Sequence, residues 1–107
     1  MSATRRLPLL VVRRIEAAAS HQTRALHALR ETQAAHERMS AARRQSLQVR
    51  ALEHLLNAQR LLQEAKRTVP SDADLAAPLD AHLARLEQMV LSVQKLAAAE
   101  VAMESDR

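Results

Sequence analysis

The sequence contains no glycine and only three prolines, and this scarcity of turn-forming residues limits what the chain can fold into. Glycine supplies the left-handed backbone conformations of tight turns, and proline begins many others. Twenty-two of the 107 residues are alanine and seventeen are leucine, both strong helix formers. We therefore predict an all-α protein with few turns. Its length fits a single helical domain over residues 1–107.

The residue types that are missing exclude several kinds of chemistry. Without glycine there is no P-loop and no dinucleotide-binding fingerprint, and without cysteine there is no disulfide, thiol nucleophile or thiolate zinc site. Five histidines are present, but none follows an acid at the spacing of helical metal motifs. We predict no catalytic residue, no metal site and no cofactor, and hence a protein that is not an enzyme. The histidines are His21, His27, His36, His54 and His82.

The second half of the chain predicts an antiparallel helical hairpin. Pro70 and Pro78 bracket a loop over 68–78, since the residue before a proline avoids helical dihedral angles. A helix over about 79–104 follows, and apolar residues repeat along it at alternating spacings of four and three. The segment before the loop carries a matching seam. We predict that five residues of the two seams are buried together: Leu55, Leu62, Leu83, Leu86 and Val90.

The first half allows two architectures. No glycine or proline interrupts residues 9–67, so the interpretation that we favour is one helix of about 88 Å, at 1.5 Å per residue, in a hairpin of the coiled-coil type. The alternative bends the chain within residues 36–46, with Ser40 as an N-cap, and makes a compact three-helix bundle.

A straight first helix would leave part of its apolar stripe uncovered, because the final helix is too short to reach it. Burial of such a stripe favours association with a second copy or with another helical protein. We therefore predict an elongated homodimer. The predicted partner interface consists of Val11, Ile15, Leu26 and Leu29.

Positive charge is concentrated in the first half. Residues 1–50 hold ten arginines and three acids, a balance of +7, whereas residues 51–107 hold six basic residues and nine acids, a balance of −3. Solvated arginines on an outer helix face would explain this pattern. A basic helical nucleic-acid-binding protein is the alternative function. Its predicted phosphate contacts are Arg13, Arg14, Arg43, Arg44 and Arg50.

Targeting signals are weak. The longest apolar run, residues 7–12, is too short to span a bilayer, and Arg13 and Arg14 follow it directly, unlike a secretory signal. We predict a cytoplasmic protein with no membrane span. Residues 1–15 also have the composition of an organellar transit peptide, which the mature chain would lack.

Residues 7–50, which run from LPLLVVRRI to AARRQSL, resemble the helical stalk proteins of type III and flagellar export ATPases. Those are small Arg/Ala-rich antiparallel coiled coils that sit in the ATPase ring and touch the export gate. The resemblance implies a stalk or chaperone-like component of a secretion system, and it carries no functional residue over to this chain. We therefore predict a non-enzymatic coiled-coil module for protein–protein interaction.

Overall fold

The computed structural model describes residues 9–69 and 74–105, with side chains up to residue 102. These residues form an all-α helical bundle with principal extents of 64 × 19 × 17 Å. The elongated shape therefore belongs to a single chain. The helices in chain order are α1 (Leu9–Ala34), a short 3₁₀ helix (His36–Arg38), α2 (Ala41–Thr68) and α3 (Ala76–Ser105).

Helix α2 is the centre of the bundle. Both α1 and α3 pack antiparallel along it, and α1 approaches it closely over most of its length. The first and third helices touch each other through side chains, since Gln22 of α1 contacts His82 and Met89 of α3. The predicted all-α class and the predicted pairing of the last two helices are confirmed.

The favoured single helix over residues 9–67 is wrong, and the bent alternative is the observed architecture. Helix α1 ends at Ala34, and the chain reverses between Ala35 and Ser40. Ser40 has extended backbone angles (φ −66°, ψ 155°), and its side chain accepts a hydrogen bond from the backbone N–H of Arg43 at 3.1 Å. It is thus the N-cap of α2, as the alternative predicted.

An arginine stabilises this reversal. The guanidinium group of Arg44 donates hydrogen bonds to the backbone carbonyls of His36 and Met39, and its Nε donates to Glu100 of α3 at 3.0 Å. The carbonyls at a helix end need such partners. The arginines of residues 1–50 were interpreted as solvated on an outer helix face. Arg44 instead donates hydrogen bonds to the backbone of a turn that contains no glycine.

The connection between α2 and α3 is shorter than the predicted loop over 68–78. Helix α2 ends at Thr68 and α3 begins at Ala76, three residues before the predicted start. Pro78 lies in the first turn of α3, where the missing N–H costs no intrahelical hydrogen bond. Lys66 and Asp80 form an ion pair that joins the two helix ends.

Two kinds of packing build the core. Between α1 and α2, alanines recur at seven-residue spacing, and small side chains let helix backbones approach closely. Leucine and valine dominate where α3 meets α2. Of the five residues predicted to be buried together, Leu55, Leu62, Leu86 and Val90 are buried, and Leu83 is partly buried. The buried alanines of α1 and α2 are Ala18, Ala25, Ala28, Ala51, Ala58 and Ala65, and Ala76 at the start of α3 is also buried.

The fold also covers the stripe that was predicted to bind a partner. Val11 is only 1% exposed, Ile15 and Leu29 pack against the core, and Leu26 is half-buried. The chain covers the stripe itself, because it reverses at 35–40 instead of continuing straight. The physical reason for expecting a homodimer through these residues therefore no longer holds.

No helix in the described part of the chain is long and apolar enough to cross a membrane. The transit-peptide alternative concerns residues 1–15, of which 1–8 lie outside the described residues.

Candidate functional site

A basic groove runs between α1 and α2 on the surface of the bundle. It encloses about 400 Å³, and its apolar floor includes Ala28 and Leu47. The small side chain of Ala28 leaves room between the two helices. We call this site the basic groove; its remaining lining residues are Thr23, Arg24, His27, Glu31, Arg50 and His54.

The two arginines of the basic groove carry uncompensated charge. Neither Arg24 nor Arg50 forms an ion pair with a side chain that the structure describes. The one acid in the lining, Glu31, pairs with Arg43 at 3.4 Å. Positive charge therefore dominates the groove, which is also lined by His27 and His54.

A histidine pair lies beside the groove. Nδ1 of His21 on α1 is 2.9 Å from Nδ1 of His54 on α2, with the ring centroids 5.1 Å apart. One nitrogen must donate and the other accept, so the contact requires at least one neutral ring. Burial lowers the pKa of His21 below 6.5, and the positive charges of His54, Arg24 and Arg60 lower it further.

A second histidine contact joins α1 to α3. Nε2 of His82 donates to Oε1 of Gln22 at 2.6 Å, and Nε2 of Gln22 lies 3.9 Å from the sulfur of Met89. Burial lowers the pKa of His82 below 6.5, and Arg85 lowers it further. Gln22 thus connects α1 to two side chains of α3.

The end of the bundle near the α1–α2 connection is polar. Glu100 follows Leu79, Leu86 and Val93 at seven-residue spacing, and its side chain is only 15% exposed. It pairs with Arg44, while its Oε2 and the Oε1 of the buried Gln48 have no hydrogen-bond partner among the described residues. The apolar seams thus end in charged and amide side chains that hold α3 against the connection.

A second candidate surface lies along α2 and α3, on the side away from α1. Val49 and Leu56 are 55% and 47% exposed, and Leu52 between them is half-buried, so these residues form a stripe beside the buried seam of α2. On α3, Leu91 is 43% exposed and adjoins the buried Val90.

Contacts with α1 establish where this stripe lies. α1 meets α2 on the edge that carries His54, and it meets α3 on the edge that carries Met89. Helical spacing puts Leu56 and Leu91 on the opposite edges. The ion pairs Lys66–Asp80 and Arg44–Glu100 set the alignment of α2 and α3, and they bring Leu56 and Leu91 to nearly the same level. We call Val49, Leu52, Leu56 and Leu91 the apolar face.

The five arginines predicted to contact phosphate are not brought together. Arg13 and Arg14 lie near the start of α1, and Arg14 pairs with Glu64 at 3.7 Å. Arg43 and Arg44 lie at the other end of the bundle, where both form ion pairs. Only Arg50 lines the basic groove.

Sequence reasoning missed Arg24 as the partner of Arg50, because only the fold pairs α1 with α2 in this register. It also missed Leu56, which the structure leaves half exposed. The 3-4 spacing of Val49, Leu52 and Leu56 is a signal that could have marked a second stripe. In the described residues, no three histidine, aspartate or glutamate side chains come together to hold a metal ion.

Comparison with known proteins gives no relative from which to transfer a function. No protein family, no curated protein and no solved structure matches the chain.

Proposed function

We propose that this protein is a non-enzymatic interaction module that binds one amphipathic helix of another protein on its apolar face. The observation that carries the proposal is the exposure of Val49, Leu56 and Leu91 on one side of a bundle whose core is already complete. An amphipathic helix that adds a fourth member to the bundle would bury these side chains.

The size of the apolar face favours a single helix over a second copy. A standard protein interface buries about 800 Å² on each partner and involves about 20–30 residues. Four side chains offer much less, so two copies meeting through this face would associate weakly. An incoming amphipathic helix presents only three or four apolar anchors, at i, i+3 or i+4, and i+7, and a face of four side chains can receive them.

The basic surface supports nucleic-acid binding less well. Three of the five predicted phosphate-contacting arginines have acidic partners within 4 Å. Duplex binding by neutralised phosphates would weaken steeply as salt increases. We expect no complex with duplex DNA tighter than about 10 μM at physiological salt, which is weak even for non-specific binding. A submicromolar complex would contradict the proposal.

A photo-crosslinking amino acid at position 56 tests the apolar face in the cells that produce the protein. We expect a discrete product with one other protein, and a crosslinked peptide whose apolar residues recur at helical spacing. Leu91→Glu, on the facing helix, should reduce that product at least tenfold. The same crosslinker at Arg30, an exposed position on α1, is the matched control and should give no product.

Two outcomes would contradict the proposal: equal crosslinking from positions 56 and 30, or crosslinks only to a second copy of this chain. Light scattering distinguishes the second outcome independently. We expect the mass of one chain, 11.9 kDa, at tens of micromolar. A mass twice as large that returns to the monomer value in Leu56→Asp would establish self-association through this face instead.

The cytoplasm is the compartment that we propose for this module, and the secretion-system stalk or chaperone role is one setting in which a helix-binding module would serve. If the protein works there, the partner crosslinked at position 56 will be a component of an export apparatus.

A further inference from the structure

We propose that the basic groove between α1 and α2 binds a phosphate monoester, a function separate from helix binding on the apolar face. The site is a concave surface with an apolar floor and two guanidinium groups on facing helices, Arg24 from α1 and Arg50 from α2. Guanidinium groups match the geometry of oxyanions and form paired, charge-assisted hydrogen bonds with them.

The net positive charge of the basic groove favours binding of an anion. Arg24 and Arg50 have no acidic partner among the described residues, and Glu31 is already paired with Arg43. His27 and His54 supply two further ring nitrogens on the same lining. A phosphate group presents three acceptor oxygens and up to two negative charges, so it can receive hydrogen bonds from both walls at once.

The limits of the groove favour a small ligand over a nucleic-acid backbone. Its lining extends over residues 23–31 and 47–54, which is about 12 Å along the helices at 1.5 Å per residue. Beyond it, acids offset part of the charge on this side, since Arg14 and Arg60 share Glu64, and Arg43 pairs with Glu31. These acids interrupt the row of basic residues, whereas a polyanion needs a continuous basic track.

The full-length protein, labelled with ¹⁵N, can be titrated with inorganic phosphate and with uridine monophosphate at constant pH and matched ionic strength. We expect saturable shifts of the Nε–H signals of Arg24 and Arg50, and of backbone amides in residues 23–31 and 47–54. Tighter binding of the nucleotide would identify a phosphate monoester as the ligand, and equal binding would identify free phosphate as sufficient. Either result supports a phosphate site.

Two double variants distinguish specific phosphate binding in the basic groove from non-specific attraction of phosphate to a positively charged protein. Arg24→Gln with Arg50→Gln should weaken phosphate binding at least tenfold. Arg13→Gln with Arg85→Gln removes the same charge from exposed positions elsewhere and should change binding less than twofold. All four positions are exposed, and an unchanged circular dichroism spectrum will show that the variants fold. Non-saturable shifts, equal losses in the two pairs, or equal binding of glutarate would overturn the proposal.

Discussion

The two helix pairs of this bundle are packed differently, and the difference determines which surface is left for a partner. α1 and α2 meet through alanines, which bring the backbones close and place polar side chains such as His21 and His54 in contact at the edge. α2 and α3 meet through leucine and valine, and leucines on the outer edge, such as Leu56 and Leu91, stay exposed. The edge of the alanine-packed pair therefore carries polar contacts between helices, whereas the outer edge of the leucine-packed pair carries exposed apolar side chains.

The largest expected effect comes from the leucine-packed pair. Leu86 is fully buried on α3, so Leu86→Ala should lower the free energy of unfolding by about 2–5 kcal/mol, through lost burial and a residual cavity. Leu91→Ala, on the same helix but 43% exposed, should change it by less than about 1 kcal/mol. Urea unfolding followed by circular dichroism measures both. Equal effects of the two substitutions would mean that Leu91 is buried and the apolar face does not exist.

The alanine-packed pair should resist larger side chains. Ala58 is fully buried on α2, and Ala58→Leu should destabilise the protein by about 1–3 kcal/mol, because the extra methyl and methylene groups force α1 and α2 apart. Ala84→Leu, at an exposed position on α3, is the control and should have little effect. Unchanged or higher stability of Ala58→Leu in urea unfolding would show that the α1–α2 contact is not close.

The polar end can be tested with two adjacent arginines. Arg44→Ala removes the partner of Glu100 and of two carbonyls in the α1–α2 connection, and should cost about 1–3 kcal/mol, since groups left unpaired in a partly buried site pay a desolvation penalty. Arg43→Ala removes one exposed ion pair with Glu31 and should cost about 0–1 kcal/mol. Thermal unfolding compares the stabilities of the two variants. Equal stabilities would mean that Arg44 does not stabilise the turn.

The smallest effect is on pH dependence. The pKa values of His21 and His82 are below 6.5 in the folded chain, so the unfolded chain binds more protons and stability rises with pH through this range. The stabilisation is complete above 6.5 and is lost as pH falls through the lowered pKa values. We expect a lower melting temperature at pH 5.5 than at pH 7.5. His21→Gln with His82→Gln should flatten this dependence. A steeper dependence in the double variant would contradict this assignment.

Much of the fold was predictable from spacing alone, and the errors have physical causes. The α2–α3 hairpin was predictable because prolines mark its loop and both seams are rich in leucine. The reversal at 35–40 was only the alternative interpretation, because it uses no glycine or proline; Ser40 and Arg44 satisfy its backbone groups instead. The predicted homodimer interface followed from the favoured single helix over residues 9–67, because a straight helix would have left Val11 and Ile15 uncovered. The basic groove depends on how α1 and α2 are aligned with each other, and the residue spacing along one helix does not determine that alignment.

The most direct test of the folded-back chain is the distance between the start of α1 and the end of α2. Because the protein has no cysteine, Arg13→Cys and Gln63→Cys introduce two unique positions for spin labels, both of them exposed. Double electron–electron resonance, with excess unlabelled chain to suppress pairs between copies, should give about 20–30 Å, since packed helix axes lie about 8–10 Å apart and the labels extend outward. A distance of about 75 Å, the length of 50 residues in one straight helix, would contradict the account.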